Sequence, residues 1–153
     1  MSEGINNPIE QRNTGRGNPN AVFIFDEPLN NRQQSLLAYL VNYDDVITVK
    51  KSTVNMKDLS ALTAKEGVEF ALFTRKNERM VVRGGRSSVN INVNKAKELN
   101  GGGWRWSGHT HPGVDDFSTL ASREDKMILN CFSQNESAIY NSKGRFSLFD
   151  KEV

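Results

Sequence analysis

The residues best suited to chemistry lie close together in Trp104-Arg105-Trp106-Ser107-Gly108-His109-Thr110-His111-Pro112, which holds both histidines of the chain. Side chains two apart on a strand leave the same face, so His109 and His111 can converge on one ion. Pro112 ends such a strand, and Gly113 lets the chain turn into a loop that carries Asp115 and Asp116. Further on, Ser122-Arg123-Glu124-Asp125 precedes the apolar run Met127, Ile128, Leu129, Cys131 and Phe132. Two imidazoles and a carboxylate from Asp125 make three ligands and leave a fourth position for water, the plan of a catalytic rather than a structural zinc site. The plain alternatives are a polar strand edge for the histidines and a helix N-cap for Ser122, with Asp125 three positions on. The capping reading is compatible with the metal reading, because a helix start would hold Asp125 in a first turn facing the His strand.

His109-Thr110-His111-Pro112 with a later Ser-x-x-Asp resembles the JAMM motif of the JAB/MPN zinc metallopeptidase superfamily. The stretch from about Gly67 to Phe149 is similar to its RadC-like bacterial branch. The resemblance implies a cytidine-deaminase-like layered α/β fold with zinc on His109, His111 and Asp125. It also implies a catalytic Glu from an upstream element, for which Glu69 is the candidate and Glu66 the competitor, and a Ser122 hydroxyl that stabilises an oxyanion. The implied reaction is hydrolysis of a peptide or isopeptide bond, with Glu69 as proton carrier. The chain departs from the family pattern between Pro112 and Ser122, where Gly113 to Ala121 is three residues longer. That leaves Asp115 and Asp116 open as replacements for Asp125.

Other metal and nucleophile chemistries fit less well. A zinc deaminase needs His-x-Glu and Pro-Cys-x-x-Cys, and the chain has one cysteine, Cys131. That lone thiol also excludes an internal disulfide, and it reads as a small buried hydrophobe. The His-Glu-x-x-His of a zincin is absent. A paired-His phosphodiesterase would need more than two histidines, and a Ser or Cys triad would have to borrow one of these two. Two further classes stay open. A metal-dependent nuclease would need a basic groove from Arg79, Arg83, Arg86 and Arg105. A non-catalytic interaction domain would be expected to lack ligands. The Trp-Ser-Gly-His-Thr-His-Pro stretch is also similar to modules of bacterial polymorphic toxins and phage-associated proteins.

The elements that must position these residues are those of one domain. With 153 residues, 37% hydrophobic and 25% charged, the chain can bury a core without disulfides. A net charge of +2 gives no reason to favour nucleic acid as a partner over a protein or peptide substrate. No run approaches the roughly 20 apolar residues that span a membrane, and the first 20 residues lack the apolar core of a signal peptide. Both points favour the cytoplasm, or delivery into a target cell for a toxin module.

Residues 1–20 read as a polar, mobile arm, and 21–153 as the folded domain, opening with a strand at Ala21–Phe25. Asn30 or Asn31 caps a helix to about Val41 with a stripe of Leu36, Leu37, Leu40 and Val41. Val46–Val49 reads as a strand and Asn55–Ala64 as a helix. Gly67–Thr74 reads as an apolar strand in which Glu69 is costly to bury unless it is paired or near a metal. Arg79–Arg83 forms its hairpin partner. Ser87–Val93 alternates as a strand with Val89, Ile91 and Val93 inward, and Asn94–Leu99 is a short helix. Trp104 and Trp106 belong to the core beneath the histidines, and Ser137–Tyr140 with Arg145–Phe149 forms a closing hairpin. The sum is α/β, a single mixed sheet with helices on its faces.

Overall fold

The structure, a computed structural model, describes residues 28–151. The expected arm and the expected strand at Ala21–Phe25 lie outside the described residues. In chain order the elements are α1 (Asn31–Tyr39), β1 (Val46–Lys50), α2 (Met56–Glu66), β2 (Phe70–Arg75), β3 (Glu78–Arg83), α3 (Val93–Gly101), β4 (Arg105–Thr110), α4 (Arg123–Leu129), β5 (Glu136–Tyr140) and β6 (Phe146–Asp150). The strands form one mixed sheet in the order β1-β3-β2-β4-β5-β6, antiparallel except where β4 and β5 run parallel. A parallel pair needs a crossover, and the segment containing α4 supplies it between β4 and β5.

Strand β2 explains the two-sided core. Phe70 and Leu72 point to one face, where they meet Val81 and the buried Leu36, Leu40, Leu59 and Leu62 of α1 and α2. Ala71 and Phe73 point to the other, with Val82, Trp106, Ile139, Phe149, Ala96 and Leu99 of α3, and Leu129 of α4. A strand covered on both faces reads as an unbroken apolar run, as Phe70–Phe73 does. The helices begin where side chains can satisfy their first amides: Asn30, Asn55 and Ser122 each complete a reciprocal capping box, and Asn92 caps α3. Gly108 faces α2, where an added Cβ would lie 3.0 Å from Met56 Sδ and 2.9 Å from the Ala138 carbonyl. Only glycine allows that approach of helix to sheet.

Three expectations need correction. The expected strand Ser87–Val93 is a loop through Asn92, because both positions beside β3 are already taken by β1 and β2. Val89 and Ile91 pack half-buried from that loop, while Val93 opens α3 and stays 36% exposed. Helix α1 ends at Tyr39, so Val41 is exposed instead of completing the apolar stripe. Cys131 is half-buried just beyond α4, not enclosed.

Candidate metal centre

The register of two strands brings the site together. Ala71 of β2 pairs with His109 of β4 in antiparallel fashion. Continuing outward, Glu69 falls opposite His111, two residues beyond the pair on each strand. Past the ladder, His111 N–H donates to the Tyr140 carbonyl of β5 at 2.9 Å, and Phe70 N–H donates to the side-chain hydroxyl of Thr110 at 2.9 Å. A register shift between Leu72 and Phe73 places one extra residue, Ser107, in β4. That bulge puts Trp106 on the same face as His109 despite their odd spacing, so that the indole stacks on the imidazole with centroids 4.9 Å apart.

Across this floor stands the first turn of α4. Its Asp125 Oδ1 lies 3.1 Å from His109 Nε2, and Oδ2 lies 3.5 Å from His111 Nε2. The two Nε2 atoms are 3.1 Å apart. Glu69 Oε2 is 3.8 Å from His111 Nε2, and Glu69, His109 and His111 form a cluster able to hold an ion. For ligand atoms about 2.0–2.1 Å from zinc in a tetrahedron, the edges measure about 3.3 Å. The two imidazole nitrogens are 3.1 Å apart, one Asp125 oxygen is 3.1 Å from His109 and the other is 3.5 Å from His111, so the three side chains stand close enough to share an ion.

The ring protons bear on the same point. His111 Nδ1 lies 3.0 Å from the Ser118 carbonyl, which can only accept, so the neutral ring carries its proton on Nδ1 and turns a lone pair outward from Nε2. His109 Nδ1 is buried with no partner. With the His109 proton on Nδ1, a buried N–H lacks an acceptor and two Nε2 lone pairs meet the Asp125 carboxylate; with it on Nε2, that N–H can serve Asp125 at 3.1 Å and a buried Nδ1 lone pair is unmatched. A cation at the common point would take up the lone pairs of the first arrangement, and the Ser118 carbonyl is the kind of outer partner that orients a metal-binding imidazole.

Burial shapes the charges. Glu69 is 6% exposed, and its carboxyl is pushed up from 4.5 to about 7 by burial, with His111 opposing and Asp125 adding to the rise. Burial lowers His109, against the opposing hydrogen bond and charge of Asp125. It also acts to lower His111, but the Asp125 hydrogen bond and the charges of Glu69 and Asp125 outweigh it and leave His111 raised. For Asp125, burial acts upward and is outweighed by its hydrogen bonds with both histidines, which hold it well below the usual carboxylate range.

The remaining candidates separate clearly. Asp115 caps a short 3-10 turn (Asp116–Thr119) through Ser118 N–H, and the exposed Asp116 pairs with Arg145 at 3.2 Å, so both carboxylates are engaged away from the histidines. Glu66 is bonded to Arg83 at 3.0 Å. Gly113, at φ +139°, folds the loop tightly against Ser118. Ser122 caps α4, its Oγ accepting from Asp125 N–H at 3.0 Å, and it lines the same cleft as Glu69, His109, His111 and Asp125. Its own hydroxyl hydrogen is not used by that bond. The sequence places Trp106 beneath the histidines, where it is found, but not its stacking on His109, which depends on the bulge; the Ser118 carbonyl had no sequence signal, being a main-chain atom that any residue could offer.

The cleft encloses about 650 Å³. Of the four arginines a basic groove would need, Arg86 alone lines it. Arg83 is committed to the Leu40 carbonyl and Glu66, and Arg79 to the Val54 and Lys51 carbonyls. Among the described residues no helix is long and apolar enough to cross a membrane. Compared with known protein families, curated proteins and solved structures, the chain matches none.

Proposed function

We propose that the chain is a zinc-dependent hydrolase of peptide or isopeptide bonds, built on a JAB/MPN-like arrangement of sheet and helices. The observation that carries this reading is the convergence of His109, His111 and Asp125 at 3.1–3.5 Å, with a buried Glu69 3.8 Å from His111. When bound, zinc supplies a Lewis acid that acidifies water and polarises a carbonyl. Glu69 takes the proton of the attacking water as oxygen adds to the amide carbon, and delivers it to nitrogen as the C–N bond breaks. Its raised affinity for a proton suits both halves of that transfer. Ser122 donates its free hydroxyl hydrogen to the oxyanion, while its N-cap bond fixes the hydroxyl in place. Trp106 and the Ser118 carbonyl hold the two imidazoles in their orientations.

The nuclease reading gains nothing from the cleft, where the acids Glu69, Glu124 and Asp125 face Arg86 as the one arginine. The test is elemental analysis of the purified protein, followed by incubation of the zinc-loaded protein with a mixed peptide library. About one zinc per chain is expected, with cleavage that a chelator stops and added zinc restores. Failure to take up zinc when it is supplied would overturn the proposal.

Ser122→Ala separates the two roles of that hydroxyl. Turnover is expected to fall about 10²–10³-fold from loss of the oxyanion donor, and the missing cap costs about 1 kcal/mol of stability. Ser122→Asp, which restores an N-cap but places an anion where the oxyanion develops, should recover stability without recovering turnover. Melting curves and kcat measured on both variants check this.

A further inference from the structure

Beyond the ligands, the cleft extends between the loop that links β3 to α3 and the side of α4. Val89 and Ile91 from the loop, Val93 at the start of α3, and Met127 and Ile128 of α4 line it. Met127 is 43% exposed, and together with Val93 it leaves apolar surface open to water at this spot. Such surface costs free energy unless something covers it. The occupant is constrained by continuity. The wall belongs to the same cleft as Glu69 and His109, so one extended ligand can cover it and reach those groups.

We infer, resting on the hydrolase reading above, that this wall is the side-chain pocket of a peptide substrate, selecting a large aliphatic or aromatic residue beside the scissile amide. Consecutive Cα atoms are about 3.8 Å apart, so a scissile carbonyl held near Glu69 carries its neighbour's side chain along the cleft. Ser87, Ser88 and Asn92 lie on the same lining and supply polar groups for the peptide backbone.

The test uses capped polyalanine peptides carrying one central Leu, Phe, Ala, Lys or Asp. Hydrolysis is followed with the zinc-loaded protein, and binding with the zinc-loaded Glu69→Gln variant. The Leu and Phe peptides are expected to be cleaved beside that residue with kcat/KM about tenfold or more above the Ala peptide, and to bind Glu69→Gln in the same order. Met127→Asp and Val93→Asp, both at exposed positions, should keep zinc and bring the ratio toward one. Cleavage or binding with no preference for Leu and Phe over Ala overturns the pocket and leaves the hydrolase reading standing. So does a preference that neither variant alters. If the parent cleaves nothing while both proteins bind the Leu and Phe peptides preferentially, the hydrolase reading fails and the pocket stands as a peptide-binding site.

Discussion

Glu69→Gln is expected to lower turnover of the zinc-loaded protein by about 10²–10⁴-fold, to leave zinc content unchanged, and to stabilise the metal-free protein at alkaline pH. The first effect follows from removing the group that moves the proton, while His109, His111 and Asp125 remain in place. The second follows from burial. In the unfolded chain the carboxyl titrates near 4.5, whereas in the fold it is pushed up to about 7. The native state therefore holds this proton more tightly than the unfolded state does. The stability that Glu69 contributes is fully present below about pH 4.5 and is lost as pH rises through 7. Above that point an ionised carboxylate must be kept in a buried site, at a cost of roughly 3 kcal/mol. Glutamine carries no such charge. With a chelator present, the variant should melt roughly 5–10 °C above the parent at pH 8, and the gap should close toward pH 4.5. A variant no more stable than its parent at pH 8 would mean that Glu69 is solvated in solution. Retained turnover would remove it from the mechanism.

The parts of this fold that were legible in the sequence are those fixed by local rules. Asn30, Asn55 and Ser122 stand where capping chemistry puts helix starts, and each completes a capping box. The run Phe70–Phe73 reads as a central strand because both of its faces are covered. The pairing of His109 with His111 follows from strand alternation alone. What failed to show was set by tertiary neighbours. Val89, Ile91 and Val93 alternate as a strand would, yet no sheet edge is free beside β3, and the alternation instead spaces side chains along a cleft wall. Asp115 and Asp116 had the right chemistry for ligands. One is used by the 3-10 turn and the other by Arg145, and that competition is visible only once the loop has folded back against Asn141 and Ser142. Glu66 and Glu69 likewise differ by a partner and by depth, not by residue type.

Zinc should raise the melting temperature of the parent, and removal of its ligands should erase that rise. An ion that binds only the native state at one hundred times its dissociation constant adds about 2.7 kcal/mol, or roughly 5–10 °C for a chain of this size. His109→Ala with His111→Ala removes both imidazoles of the proposed site and leaves only the carboxylates of Asp125 and Glu69, so both the bound zinc and the thermal shift should vanish. The double variant also loses packing, because the His109 ring is 1% exposed and lies against Trp106 and Phe149. Its metal-free melting point should therefore drop on its own account. The shift produced by zinc, not the absolute melting point, is what reads the site. His111→Ala alone, at a half-buried position, and Asp125→Asn give the same reading with less damage to the core. Asp116→Asn serves as the opposite control. Its carboxylate is exposed and paired with Arg145, so the zinc shift should survive. A shift lost in Asp116→Asn and kept in Asp125→Asn would move the third ligand into the loop after Pro112. A shift that persists in the double histidine variant would place the ion elsewhere and leave the His109 and His111 pair as a buried polar contact.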